Sequence, residues 1–248
     1  MSSTTMNLPG TPRLRSNSAR LGARTLLGVA TGMAMLLALY AALVASPPER
    51  VEGDLFRIFY FHVPLALLTY VAFGVTFVAS LFYLWRGQPF WDRLALSSAE
   101  VGLVFCTLVL ATGSIWGRPT WGVWWTWDAR LTSSLVLWFI YLSYVMLRSY
   151  IEEHRRAARY AAVLGVIGFL DVPIVQFSVN WWRTLHPQST VMASAGRSLP
   201  PSMLFALVLS LVAFSLLYVQ LVMTRMHIEA LQDMRQAVEG QFNDLVEE

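Results

Sequence analysis

Five of the chain's ten tryptophans fall between residues 116 and 127, in the stretch Trp116-Gly117-Arg118-Pro119-Thr120-Trp121-Gly122-Val123-Trp124-Trp125-Thr126-Trp127-Asp128-Ala129-Arg130. An interfacial aromatic belt also uses tryptophan, but it scatters the rings over several helix ends. Here they converge on one segment, in which Gly117, Pro119 and Gly122 disfavour a plain helix. Concentrated indole faces suit a large, flat, apolar ligand, because offset stacking rewards extended ring contact. Arg118 and Arg130 flank the segment, Arg183 lies in the next outer loop, and a guanidinium fork pairs bidentately with carboxylates. A porphyrin joins both properties, a flat macrocycle and two propionates. Two histidines then acquire a joint meaning, since neutral imidazole is a common axial ligand of haem iron. His62 precedes Val63-Pro64 and His186 precedes Pro187. Alone, each reads as a capping or interfacial residue; as the two histidines on one side of the membrane they form an axial pair.

The elements that carry these residues are membrane spans. A chain of 248 residues that is 56% hydrophobic and 13% charged, with a mean hydropathy of +0.53, belongs in lipid. About 30 Å of hydrocarbon takes roughly 20 apolar residues of helix. Such runs are expected at 25–46, 62–85, 97–116, 131–149, 160–179 and 202–224. The fold class is therefore all-α, a polytopic membrane protein with six transmembrane helices. The first run is too long for the apolar core of a signal peptide and reads as an uncleaved span. With the first loop outward, inward segments hold Arg13, Arg15, Arg20, Arg24, Arg86, Arg93, Arg148, Arg155, Arg156, Arg159, Arg225 and Arg235. Outward segments hold only Arg50, Arg57, Arg118, Arg130, Arg183 and Arg197, so both termini are expected in the cytoplasm. The domains are then a disordered cytoplasmic arm at 1–24, a membrane domain at 25–224 with its outer tryptophan loop at 116–130, and a cytoplasmic amphipathic tail at 225–248.

The remaining polar residues read more plainly. A net charge of +3, carried by arginines alone among the bases, is too small and scattered for nucleic acid. Cys106, the single cysteine, is a small core residue, and His154 and His227 are solvated. Asp171, beside Pro173 inside span five, is expected to serve helix packing before any proton relay, and Glu100 to snorkel or pair with Arg93. In the tail, Ile228, Leu231, Met234, Val238, Phe242 and Leu245 line one helical face, opposite an acidic one. That sign of charge suits a protein surface better than anionic lipid, although a frayed extension of span six fits as well.

The segment WGRPTWGVWWTWDARLTS resembles the WWD signature of haem-handling proteins in cytochrome c maturation. FHVPLA around His62, DVPIVQFSVNWWRTLHP around His186 and the six-span length are similar to the CcmC branch, the haem exporter protein C family. The resemblance covers roughly residues 50–225. It implies haem b held without covalent attachment, as cargo, at the periplasmic face of the bacterial inner membrane. His62 and His186 would be the axial ligands, and Trp116, Gly117, Trp121, Trp124, Trp125, Trp127, Asp128 and Arg130 the signature. It also implies partners: a CcmE-like periplasmic haem chaperone, a CcmD-like small membrane protein and a CcmA/CcmB-like ABC transporter. No GxxxxGK[ST] motif is present, so any ATP hydrolysis would belong to a partner. No nucleophile-base pair stands out in the outer loops, so an ordinary enzyme is not expected. Two other classes stay open: a membrane subunit of a haem or small-solute exporter without a chaperone role, and a b-type electron-transfer cytochrome. The cytochrome is disfavoured because its histidines are expected within helices at bilayer depth.

Overall fold

The computed structural model describes residues 14–182, 185, 186 and 199–247, and six of its helical segments are long and apolar enough to cross a membrane. The helices are α1 (Leu14–Tyr40), α2 (Phe59–Arg86), α3 (Pro89–Trp121), α4 (Ala129–Tyr150), α5 (His154–Gly168), α6 (Asp171–Trp181) and α7 (Pro201–Glu247). A π-helical turn, Ala41–Ala45, prolongs α1, and a 3-10 turn, Asp54–Ile58, leads into α2. There are no strands among the described residues. The first helix begins at Leu14, inside the stretch expected to be an arm.

Local chemistry explains where the helices stop. Gly87 closes α2 in the left-handed conformation (φ 65°), its N–H donating to the Tyr83 carbonyl at 2.7 Å; Pro89 then opens α3. This turn is short enough that Arg93, expected in a loop, stands on α3. At its other end α3 runs past the expected stop at Trp116, through Gly117 and Pro119, to Trp121. Only Gly122 (φ 81°) ends it, so half of the expected tryptophan loop is helix. Pro119 withholds the donor for the Ile115 carbonyl, but its fixed φ is helical and only two residues of α3 follow it.

Span five is two helices, not one. Leu170 donates to Ile167 at 3.0 Å and Val172 to Phe169 at 3.1 Å, i→i+3 bonds that mark a tight turn where Pro173 withholds the donor for Phe169. Asp171 therefore begins α6 instead of sitting mid-helix, and its Oδ2 is buried without a hydrogen-bond partner among the described residues.

Small residues let the spans approach closely, since packing and not hydrophobicity drives association in lipid. The α2–α3 contact is the most extensive, and a Cβ added at Gly102 would stand 2.7 Å from the Phe73 ring and 2.9 Å from Ala72. Ser98 ties three helices, bonding the Ala72 carbonyl and the Tyr218 hydroxyl, each at 2.7 Å. Phe73 stacks on Tyr141 of α4 with centroids 3.5 Å apart, and Gly165 of α5 packs against Ser80 and Tyr144. Cys106 is buried in this core, as expected.

Ion pairs close the end where α2 meets α3. Glu100 pairs with Arg225 of α7 (2.5 and 2.8 Å), not with Arg93, because α7 lies alongside and Arg93 instead faces Asp233 at 3.8 Å. Asp92, 4% exposed, takes both Arg148 nitrogens (2.5 and 2.9 Å) and stands 3.5 Å from His154. His154, expected to be merely solvated, is thus part of a charge cluster; His227 is exposed.

Candidate functional site

At the opposite end, the start of α2, the last turns of α3, the start of α4 and the segment after α6 come together. His62 lies within the first turns of α2, not ahead of a helix as Pro64 suggested. Its Nδ1 is 2.9 Å from Thr112 Oγ1 on α3. The Thr112 hydroxyl donates its own proton to the Leu108 carbonyl at 2.7 Å, so it accepts from His62 Nδ1–H. That bond assigns the tautomer: Nε2 keeps its lone pair. The Trp116 indole meets the imidazole edge-on at 5.9 Å, and a Cβ at Gly113 would stand 3.2 Å from His62 Cε1. Thr112, Gly113 and Trp116 therefore form one cradle on a single helical face.

Trp116 is itself held from behind. Its Nε1 donates to Glu52 at 2.9 Å, and Phe56 and Phe59 meet its ring edge-on. Glu52 is placed by a tight turn in which Glu49 pairs with Gly53 (φ 61°). The backbone N–H groups of Glu52 and Val51 donate to the Glu49 carboxylate, at 2.8 and 2.6 Å, and hold it below the usual carboxylate range.

His186 is seated on the same helix end from another side. Its ring meets Trp121 at 4.9 Å, and Trp121 lies about 140° from Trp116 around an axis of 3.6 residues per turn. Gly117 makes room for Trp121, since a Cβ there would stand 3.1 Å from the indole. Asp128 caps α4, accepting from Leu131 N–H at 2.9 Å, while its Oδ2 stands 3.5 Å from His186 Nδ1. Burial pushes the His186 imidazole below its ordinary range; Arg130 adds to this and Asp128 opposes it. The two are then a neutral ring oriented by a carboxylate, not an ion pair. Arg130 stands in the first turn of α4, two residues past Asp128.

The chain matches the family model of CcmC, heme exporter protein C, over residues 11–240. It is 43% identical over 207 residues to heme exporter protein C of Bradyrhizobium diazoefficiens, covering 83% of this chain and 78% of that one. With heme exporter protein C of Escherichia coli K12 it shares 39% identity over 181 residues, 73% of each chain. With the cytochrome c biosynthesis ccmC-like mitochondrial protein of Marchantia polymorpha it shares 35% over 178 residues, 72% of this chain and 75% of the relative. The chain belongs to the CcmC family.

The CcmC-type fold places the expected site residues unequally. His62, His186, Trp116, Gly117, Trp121, Asp128 and Arg130 converge, as described. Trp124 and Trp127 turn their rings outward, 60% and 75% exposed. Trp125 packs edge-on against Trp127 at 5.7 Å, its buried Nε1 without a partner among the described residues. Arg118 donates to the carbonyl of Gly122, the residue that ends α3. Arg183 lies outside the described residues. Thr112, Gly113 and Glu52 escaped the sequence reading. Thr112 and Gly113 precede Trp116 by one helical turn, a spacing that counts only once α3 is known to continue; nothing in sequence ties Glu52 to Trp116.

Proposed function

We propose that this chain binds haem b without covalent attachment, as cargo, at the outer end of the bundle, and presents it to a periplasmic haem chaperone. One observation carries the reading: two imidazoles flank the tryptophan-bearing end of α3, His62 bonded through Nδ1 to Thr112 and His186 with its Nδ1 3.5 Å from the Asp128 carboxylate. Neutral imidazole is the ligand form of histidine. Exposed Trp124 and Trp127 offer stacking faces for the macrocycle. Arg130 and the Trp125 N–H, unpartnered among the described residues, supply donors for propionates. When bound, haem iron would take its axial ligands from His62 and His186.

Handover fits a site at the rim of the bundle, where a soluble partner can reach the ligand. The names carried by the relatives, heme exporter protein C and cytochrome c biosynthesis protein, agree with a transport or assembly role in place of an enzymatic one. The site then faces the periplasm and both termini the cytoplasm, an orientation that the excess of arginine at the opposite end supports. The implied partners are a CcmE-like chaperone, a CcmD-like small membrane protein and a CcmA/CcmB-like ABC transporter.

The absorption spectrum of the detergent-purified chain, with pyridine extraction, tests the reading against His62→Ala and His186→Ala. Extractable haem in the wild type, with an altered Soret band in each variant, is expected. Absence of haem in protein from haem-replete cells, while a chaperone partner is still loaded normally, overturns it. Haem that binds normally but is never passed to the chaperone favours an exporter subunit.

A further inference from the structure

The end of the bundle remote from His62 and His186 holds a cavity of about 570 Å³ between the last turn of α2, the start of α3 and the start of α5. Three guanidiniums line it: Arg86, Arg155 and Arg159. None makes an ion pair among the described residues, whereas the adjacent Arg156 is bound to Glu153 at 2.6 Å. Arg86 is braced over the Trp85 ring, 4.6 Å from its centroid, which orients the guanidinium without neutralising it. The two carboxylates on the wall are already engaged, Asp92 by Arg148 and His154 and Asp233 by Arg93. The start of α5 adds backbone N–H groups that Glu153 does not cap with its side chain.

Uncommitted guanidiniums around a cavity select a phosphate-type anion, because the planar fork donates bidentately to its oxygens. What surrounds the cavity indicates the source. Val163 and Ile167 follow Arg159 at helical spacing and are 46% and 56% exposed on α5. On α2, Val78, Leu81, Leu84 and Trp85 are exposed likewise. Apolar stripes that start at the charged mouth and run along both helices are what two acyl chains would follow. We propose that this cavity binds the phosphate of an anionic membrane lipid, with its chains laid along α2 and α5. The site is independent of the haem reading, and its failure would leave that reading untouched.

The full chain in detergent should be titrated with phosphatidylglycerol, phosphatidylcholine and, separately, inorganic phosphate, with adducts counted by native mass spectrometry. Removing the charge at Arg86, Arg155 and Arg159 together (each Arg→Gln) should weaken phosphatidylglycerol binding by about fivefold per arginine, with phosphatidylcholine unaffected. Arg50→Gln, the same charge change at the far end, should not alter it. If the triple variant does not fold, Arg155→Gln and Arg159→Gln singly should each show the single-site loss. Equal phosphatidylglycerol binding by folded variants, or an equal loss in Arg50→Gln, overturns the site. Arginine-dependent binding of inorganic phosphate with no preference for phosphatidylglycerol over phosphatidylcholine overturns the lipid as its ligand.

Discussion

Thr112 Oγ1 accepts the Nδ1 proton of His62 at 2.9 Å while giving its own proton to the Leu108 carbonyl. A hydroxyl has one proton to give, so this one contact sets which nitrogen of His62 keeps its lone pair. Thr112→Val keeps the side-chain shape and removes the acceptor. Haem affinity, read by absorbance titration, should fall by about tenfold or more, the usual size of such ligand-orienting effects. Thr112→Ser should restore it. Wild-type affinity in the valine variant would show that the ring is oriented otherwise.

Gly117→Ala should act on His186 through Trp121. The added Cβ would stand 3.1 Å from the indole, so the ring must move and its contact with the imidazole, now at 4.9 Å, is lost. Haem binding should weaken while thermal stability changes little. Gly122→Ala is the contrasting case: at φ 81° it should cost about 1–2 kcal/mol of stability from backbone strain. A reversed pattern in binding and melting would refute this division of roles.

The two arginines of the signature should separate. Arg130→Lys is expected to lose haem although charge is kept, because a lysine lacks the fork and Arg130 follows Asp128 at the start of α4, where His186 is seated. Arg118→Lys should retain haem, since Arg118 serves the Gly122 carbonyl that ends α3. Equal haem occupancy in both variants would remove Arg130 from the site.

At the other end, the side chains of Asp92 and Arg148 are 5% and 9% exposed. Arg148→Met alone strands a buried carboxylate and should destabilise by about 3–5 kcal/mol, whereas Asp92→Leu with Arg148→Met should recover most of that. Unfolding in detergent with a denaturant series checks the pair. A single variant as stable as the wild type would show that His154 suffices to hold Asp92.

The long last helix carries the final prediction. Its 47 residues span about 70 Å at 1.5 Å per residue, more than twice a hydrocarbon core, so its end must project from the membrane. Ile228, Leu231, Met234, Val238 and Phe242 are exposed along that projection. Truncation after Arg225 should reduce copurification of a cytosolic ATPase partner while leaving haem loading intact. Unchanged copurification with a folded, loaded protein would leave the tail as a plain extension of α7.

Six spans and the gathering of His62, His186 and the tryptophans of 116–127 toward one end were legible in the sequence, because length and apolarity are local properties and alternate spans must alternate in direction. The break before Asp171 was half legible: Pro173 marked a strained stretch, but a proline can kink a span without dividing it. The continuation of α3 to Trp121 was not legible, since Gly117 and Pro119 argue for a loop by propensity and are overridden by packing of Trp116 and Trp121. Partner choice was decided by the tertiary structure alone. Glu100 meets Arg225, Trp116 meets Glu52 and His62 meets Thr112 only because each helix has a particular rotation and axial register against its neighbours. Those depend on small-residue contacts such as Gly102 on Phe73, which have no signature within any single span.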